Sequence, residues 1–287
     1  GSRYSFTGHA NDIFCEHDSS ITNEMLVRDA AFVVTESDYA RQWMEQKYAF
    51  ARGKIHRVFN GITTADFPRR QRLGAGSRIV SVGRYVEKKG FADLIEACRL
   101  LKHRGRPFEC VIVGGGPLEA ELRVQIEVAQ LQDRVSLIGP LPQAEVRQFL
   151  ARAHVFVLAC VPESGGGSDN LPTVIMEAML SGVPVVSTRL AGVPEMVEEG
   201  VEGLLVAPHD PPALAQAIET FLQDPHLAER CGHYGRATAT AKFAIENTTR
   251  ELKHLLVRLA RVPVPPDARR ADPSLPGSRL LDRLFRR

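Results

Sequence analysis

The sequence has no apolar run that reaches the roughly 18 residues needed to cross a bilayer. It also lacks a Cys-x-x-Cys pair, and its five cysteines are scattered and odd in number, which argues against a zinc site and a disulfide framework. Hydrophobic residues make up 44% of the 287 and charged residues 24%, which excludes a collagen, a coiled coil and a fully disordered chain. We therefore expect a globular protein with reduced thiols in the cytoplasm.

A strong excess of one charge is missing as well. The formal net charge is +2 at pH 7, which argues against a protein that binds nucleic acid. The positive charge is concentrated near the C-terminus, where eight arginines and three aspartates lie from Arg258 onward. Residues 262–287 are rich in arginine and proline, so a disordered tail is the favoured interpretation and contact with anionic lipid the alternative.

Short β-branched runs alternate with helical patterns through the middle of the chain. Strands are predicted at 78–82, 108–113, 134–138, 154–158 and 184–187, with helices at 91–101, 118–129, 145–151 and 173–180. Because these strands are continuously apolar, the alternation indicates a parallel sheet covered by helices on both faces, and the fold class is α/β. The C-terminal third is predicted to be mostly helix.

A shorter α/β pattern comes first, with strands at 4–7, 31–35 and 55–59 and helices at 23–29 and 37–48. The polar, glycine-containing stretch 71–77 is predicted to be a linker. The chain is therefore divided into a partial N-terminal α/β domain at 1–72, a Rossmann-like C-terminal domain at 76–240, a return helix at 241–261 and the basic tail at 262–287.

Two loops at predicted strand ends carry residues that suit an anionic ligand, and such ends are where open parallel sheets bind ligands. The loop 83–90 begins and ends with glycine and contains Arg84 and Lys89, which suit a diphosphate. A solvated basic turn is the equally weighted alternative. The loop at 114–117, Gly-Gly-Gly-Pro, is neither the dinucleotide fingerprint nor a Walker loop. A tight strand–helix turn is favoured for it, with close approach to a nucleotide as the alternative.

A pair of carboxylates flanks the start of the helix predicted at 173–180. Asp169 precedes this helix and Glu177 follows eight residues later, a spacing that a continuous helix would not align on one face. With Asp169 in the loop, both carboxylates can face a ligand at the helix N-terminus, where peptide N–H groups attract an anion. The alternative is a capping aspartate and an exposed glutamate, but Glu177 lies among apolar neighbours and needs a polar partner.

Together these motifs resemble the group 1 retaining glycosyltransferases, a family with the two-domain GT-B fold, over roughly residues 3–260. The family has two glutamates with seven residues between them, and these correspond to Asp169 and Glu177. The sequence Ala-Met-Leu-Ser-Gly-Val-Pro-Val-Val follows Glu177, as in the family's pattern. The family's Gly-Arg…Lys-Lys-Gly turn matches 83–90, and its Val-Gly-x-Gly-Pro turn matches 113–117. Ser-Phe-Thr-Gly-His-Ala at 5–10 resembles the end of the first domain, and Asn-Gly-Ile at 60–62 the interdomain crossing. The resemblance implies that the leading strands of the first domain are absent.

The resemblance also implies how a nucleotide-sugar donor is bound. Arg84 and Lys89 hold its diphosphate, together with Leu171, Pro172 and Thr173. The nucleotide contacts the glycine loops and the neighbouring strand end, at Gly83, Gly114, Gly116, Pro117, Ile138, Gly139 and Glu177.

The resemblance implies that the catalytic residues are His9, Asp169 and Glu177. Glu177 accepts the ribose hydroxyls, Asp169 holds the donor sugar, and His9 reaches across the cleft to sugar or phosphate. Two features depart from the family pattern. Asp169 is one methylene shorter than the usual glutamate, and the loop 163–168 is longer than the simplest family form.

The expected reaction is retaining transfer of a sugar to an unidentified glycan or lipid-linked acceptor. The sequence has no Asp-x-Asp motif, so neither a metal nor a cofactor is expected, and Arg84, Lys89 and the helix N-terminus supply the positive charge. The alternatives are a nucleotide-sugar epimerase or a phosphorylase of the same architecture, and a non-enzymatic nucleotide-sugar-binding module. An NAD dehydrogenase is disfavoured because the glycine fingerprint fails. We also expect donor binding with little or no transfer. Because a strand edge and apolar surface would be exposed, we expect the chain to pair with a second copy, to swap elements with it, or to leave residues 1–72 mobile.

Overall fold

The computed structural model describes residues 4–9, 13–14, 22–65, 67–68, 70 and 77–260. The predicted tail at 262–287, most of the predicted linker and Cys15 lie outside the described residues. Within those ranges the chain forms two all-parallel sheets, one of three strands and one of six.

The smaller sheet contains β1 (Ser5–Gly8), β2 (Phe32–Thr35) and β3 (Ile55–Arg57), in that order. Helices α1 (Asn23–Asp29) and α2 (Asp38–Lys47) lie between these strands along the chain. The hydroxyl of Ser37 accepts the N–H of Ala40 at 3.0 Å, so the predicted cap begins α2 directly after β2. All four residues of β2 are buried, as expected for the central strand of a covered sheet.

The larger sheet has the strand order β6-β5-β4-β7-β8-β9. Its strands are β4 (Arg78–Val82), β5 (Glu109–Val113), β6 (Val135–Ile138), β7 (Val155–Leu158), β8 (Val185–Thr188) and β9 (Gly203–Val206). Its helices are α3 (Phe91–His103), α4 (Glu119–Val128), α5 (Gln143–Ala151), α6 (Thr173–Leu180), α7 (Val193–Met196), α8 (Pro211–Gln223) and α9 (Pro225–Phe243). The order reverses between β4 and β7, as in a Rossmann-like sheet, so the loops after these strands diverge and open a crevice.

The predicted α/β class with a parallel sheet is confirmed, and most strand ends lie within one or two residues of the prediction. Strand β9 was not predicted. It begins at a glycine and has only three large apolar residues, Leu-Leu-Val, a run too short to distinguish a strand from a turn by its pattern alone. The predicted strand at 55–59 is shorter and ends at Arg57.

The last described helix packs against the smaller sheet. Ile62, just beyond β3, pairs with Ala244 in an isolated parallel bridge. Helix α10 (Ile245–Ala260) begins there, and its Leu252 and Leu255 pack against buried apolar residues in and near the smaller sheet. Among the described residues, no helix combines the length and the hydropathy that a bilayer crossing requires.

Candidate active site

A cleft of about 530 Å³ opens beside the loops that follow β4, β6 and β7. It brings together six of the predicted site residues, namely Gly83, Arg84, Lys89, Asp169, Thr173 and Glu177. Seven further residues complete its lining, namely Val82, Val86, Lys88, Leu141, Gln143, Val146 and Val174. The remaining predicted positions lie outside this lining, namely His9, Gly114, Gly116, Pro117, Ile138, Gly139, Leu171 and Pro172.

The basic loop 83–90 is fixed by close contacts with neighbouring strand ends. Gly90 has a φ of 62°, and a Cβ there would lie 1.7 Å from the carbonyl oxygen of Ala159, so glycine alone lets the loop reach the end of β7. The hydroxyl of the buried Tyr85 lies 3.0 Å from the carbonyl oxygen of Ile112 and 2.9 Å from that of Ile138. Burial raises the pKa of Tyr85 to about 12, so this hydroxyl keeps its proton.

The longer loop 163–168 docks on the basic loop. Glu87 accepts hydrogen bonds from the hydroxyl of Ser164 at 2.9 Å and from its N–H at 3.1 Å. Lys88 lies 3.8 Å from a carboxylate oxygen of Glu163. The longer loop therefore lies beside the residues that were predicted to hold the diphosphate.

Lys89 and Asp169 form an ion pair inside the cleft. Their side chains are only 15% and 13% exposed, whereas Arg84 is exposed. The thiol of Cys160 lies 3.9 Å from the Asp169 carboxylate, and burial, reinforced by the Asp169 charge, raises the pKa of that thiol far above its usual range. Cys160 therefore stays protonated and does not act as a thiolate nucleophile at neutral pH.

The glycine loop after β5 is required by the fold itself. Gly114 has a φ of 152°, and a Cβ there would lie 1.8 Å from the carbonyl oxygen of Gly83. A Cβ at Gly116 would lie 2.7 Å from the carbonyl oxygen of Tyr85. These glycines allow one strand-end loop to pack on the other, so their presence does not depend on a nucleotide. Gly139 differs, because no protein atom lies within 4 Å of a Cβ built there.

Glu177 is half-buried on α6 and faces the cleft. Burial raises the pKa of its carboxyl above the ordinary value, although Gln143 and Arg147 act in the opposite direction. The amide of Gln143 donates to Glu177 Oε1 at a long 3.4 Å. Burial makes this carboxylate costly to ionise, and its hydrogen bond within the protein is long. It is therefore suited to accept hydrogen bonds from the hydroxyl groups of a ligand.

The start of α6 lies against the same cleft. Pro172 is the N-terminal capping residue, and Thr173 is exposed on the cleft side, whereas Leu171 and Pro172 are buried. Asp169 lies in the loop before α6, the arrangement in which both carboxylates can face one ligand. The N-terminus of α6 therefore directs its positive dipole end toward the cleft.

His9 lies outside the cleft lining and contacts a buried carboxylate. Its Nδ1 lies 2.8 Å from Glu36, at the end of β2, and its side chain is 49% exposed. Glu36 also accepts hydrogen bonds from Asn60 at 2.6 Å and from Asn170 at 3.1 Å. Burial acts to raise the pKa of Glu36, but the hydrogen bonds from His9, Asn170 and Asn60 outweigh it and lower that pKa.

Three residues of this arrangement were missed in the sequence, namely Glu36, Gln143 and Asn170. Glu36 had a detectable signal, because it follows a completely apolar strand and directly precedes a helix cap. Asn170 stands inside the carboxylate motif, but its partners are 133 and 134 residues away. Gln143 opens α5 next to a proline, and nothing local indicates its contact with Glu177.

Within the described part of the chain, no group of three or more His, Cys, Asp or Glu side chains is arranged to hold a metal ion. The four described cysteines are not joined in disulfides.

Residues 65–238, more than half of the chain, match the sequence profile described as "Glycosyl transferases group 1". The chain belongs to the group 1 glycosyltransferases. It is 39% identical over 183 residues to the amylovoran biosynthesis glycosyltransferase AmsK of Erwinia amylovora, an alignment that covers 64% of this chain and 45% of AmsK. It is 46% identical over 145 residues to the putative colanic acid biosynthesis glycosyltransferase WcaL of Escherichia coli, covering 50% of this chain and 36% of WcaL. The chain thus spans less than half the length of these relatives.

Two solved structures show the fold of this chain. The Anabaena protein HepE, in complex with UDP and glucose, superposes with a TM-score of 0.71 at 24% identity, covering 82% of this chain and 65% of HepE. The sucrose-phosphate synthase of Thermosynechococcus elongatus superposes with a TM-score of 0.74 at 24% identity, covering 90% and 68%. The GT-B-like architecture predicted from the sequence is therefore confirmed.

Membership in the group 1 glycosyltransferases confirms the family that the motifs implied. The roles of individual residues stay predictions. Within the cleft, the family's first carboxylate position is held by Asp169, and here that side chain is paired with Lys89.

Proposed function

We propose that this chain binds a nucleoside-diphosphate sugar and takes part in the transfer of its sugar, with retention of configuration, to a hydroxyl group of a growing glycan or lipid-linked sugar. The observation that carries the proposal is one cleft lined by three cations, two carboxylates and a helix N-terminus. Such a set matches a donor with an anionic diphosphate and several hydroxyl groups. The relatives named for amylovoran and colanic acid biosynthesis support a polysaccharide acceptor.

Each part of the donor has a proposed partner. The diphosphate is neutralised by Arg84, Lys89 and the N-terminus of α6, without a metal ion. Glu177 accepts the ribose hydroxyls, and Asp169 holds the sugar.

In the chemical step the bond between the sugar carbon and the leaving phosphate oxygen breaks. The acceptor oxygen bonds to that carbon on the same face, and the leaving phosphate oxygen takes the acceptor proton. Charge that develops on this oxygen is stabilised by the same cations.

A non-enzymatic donor-binding module is the second candidate. Pairing with a second copy, a cytoplasmic location and contact of residues 262–287 with lipid stay predictions from the sequence.

Calorimetric titration with UDP, GDP and ADP, followed by incubation with the matching nucleotide sugars, tests the proposal. Saturable binding of a nucleoside diphosphate with release of sugar, or with transfer to an added glycan, is the expected result. Binding without release favours the module. Absence of binding to all three nucleotides would overturn the proposal.

A further inference from the structure

Glu36 is a buried carboxylate at the point where the two sheets meet. Its side chain is 5% exposed and lies at the carboxyl end of β2. It accepts hydrogen bonds from three separate segments: His9 after β1, Asn60 after β3, and Asn170 in the loop between β7 and α6. One side chain therefore contacts both the smaller sheet and the loop that carries Asp169.

The hydrogen bonds fix which atoms carry protons. An ionised carboxylate only accepts hydrogen bonds, so Nδ1 of His9 is the protonated ring nitrogen when it faces Glu36. The Asn170 amide has one arrangement, because its Nδ2 donates to Glu36 at 3.1 Å while its Oδ1 accepts from the hydroxyl of Ser37 at 2.7 Å. Ser37 is held in turn as the cap of α2. Glu36 and Ser37 thus set both the histidine tautomer and the asparagine rotamer.

Asn170 connects Glu36 to the loop that carries Asp169. It is 1% exposed and stands directly after Asp169. Its carbonyl oxygen accepts the N–H of Gly192 at 3.0 Å, and a Cβ at Gly192 would lie 2.5 Å from that oxygen. The loop is held on one side by backbone and on the other by the Glu36 carboxylate, so it has little room to shift.

We propose that Glu36 is a positioning residue for sugar transfer, which holds the imidazole of His9 with Nδ1 protonated and anchors Asn170, so that the loop carrying Asp169 is fixed to the smaller sheet. This inference rests on the proposed function. Glu36 does not line the cleft, so it acts through His9 and Asn170 and not by contact with the donor.

Glu36→Gln tests the inference, because the amide keeps the size of the side chain but places a donor among three donors. Glu36→Asp keeps the charge. Glu195→Gln is the matched control: the Glu195 carboxylate on α7 also joins the two parts of the chain, accepting the N–H groups of Asp38 at 2.8 Å and Tyr39 at 2.7 Å, and it does not contact His9 or Asn170.

Three measurements are made on the full chain: the His9 ring tautomer from ¹⁵N chemical shifts, the affinity for UDP and GDP, and the turnover of UDP-glucose and GDP-mannose. In Glu36→Gln an amide oxygen at the Oε2 position accepts from His9 more weakly than the carboxylate does, and the NH2 group at the Oε1 position faces the donor of Asn170. We therefore expect a smaller fraction of the Nδ1-protonated tautomer and at least a tenfold loss of turnover, with less than a threefold change in nucleotide affinity. Glu36→Asp should recover part of the turnover, and Glu195→Gln should retain it. If Glu36 acts through His9, the losses in Glu36→Gln and His9→Ala should not add.

The outcomes separate this inference from the proposed function. If the wild-type protein binds neither nucleotide, both the proposed function and the role of Glu36 in transfer are overturned. If it binds a nucleotide without turnover, the role of Glu36 in transfer is overturned. If Glu36→Gln turns over as fast as the wild type, or if its His9 tautomer is unchanged, the inference is overturned and the proposed function is not. If Glu36→Gln does not fold, the same measurements are made on Glu36→Asp. A Glu36→Asp variant with a changed His9 tautomer and wild-type turnover would then refute the inference.

Discussion

Replacing Glu177 by glutamine separates what this carboxylate does to the fold from what it does in the cleft. The side chain is half-buried, burial raises its pKa, and its hydrogen bond from Gln143 is 3.4 Å long. Ionised Glu177 therefore lowers the free energy of unfolding at neutral pH, and glutamine removes the charge at nearly constant volume. We expect Glu177→Gln to have a melting temperature at pH 7 equal to or above that of the wild type.

The same change should weaken nucleoside-diphosphate binding. A hydrogen bond to a charged acceptor contributes about 1.5–3 kcal/mol and a neutral one about 0.5–1.5 kcal/mol, so their exchange costs about 1–1.5 kcal/mol. This corresponds to an increase in Kd of about 5- to 12-fold. Calorimetric titration with UDP and GDP measures it, and Glu127→Gln, at an exposed position of α4, is the control in which neither quantity should change.

The stability difference has a defined pH dependence. Because the folded-state pKa of Glu177 is raised, the folded protein keeps this proton at pH values where the unfolded chain has lost it. Wild-type stability therefore falls as the pH rises from the ordinary glutamate value through the raised one. The difference in melting temperature should be near zero below about pH 4 and should grow in favour of Glu177→Gln toward pH 7. A lower melting temperature at pH 7 with unchanged nucleotide affinity would refute this reasoning and make Glu177 a structural residue.

Arg84→Ala should weaken nucleoside-diphosphate binding by about 1.5–3 kcal/mol at an unchanged melting temperature, because the guanidinium is exposed. Lys89→Ala should weaken binding similarly and also lower the melting temperature, because Asp169 loses its partner; calorimetry with unchanged affinity in both variants would remove the diphosphate assignment. Gly114→Ala should lower the melting temperature strongly, whereas Gly139→Ala should retain it, since its methyl group meets no protein atom. Denaturation curves in the opposite order would contradict this explanation, and a loss of nucleotide affinity in Gly139→Ala would indicate that the ligand occupies that space.

The elements that the sequence predicted well are those whose cause is local. The helix at 23–29 and the cap at Ser37 follow from side-chain pattern and capping chemistry within a few residues. The buried strands of the larger sheet are marked by continuous apolar runs. Strand β9 has only a short Leu-Leu-Val run after a glycine, and its place at the edge of the sheet depends on pairing with β8, a contact that no local pattern records.

The candidate site was predictable to the same extent. Loops at the carboxyl ends of parallel strands meet by topology, so Arg84, Lys89, Asp169 and Glu177 were expected to gather, and they line one cleft. The sequence could not show which glycines are required by close packing, because Gly114 and Gly139 both follow a strand and look alike in sequence. They differ in what a Cβ would meet, and that depends on the packing of another loop.

The charge of the cleft could not be obtained by counting cations in the sequence. Lys89 is paired with Asp169, and Lys88 lies 3.8 Å from Glu163, so two of the three positive charges of the basic loop already have acidic neighbours. Arg84 is exposed and is the part of the loop that an entering diphosphate can meet first. In the proposed function Lys89 then serves the phosphate and Asp169 together, because an ammonium group has three N–H donors. Binding of the diphosphate and orientation of the sugar-side carboxylate therefore depend on one side chain, which gives the shorter aspartate a fixed position at the cleft.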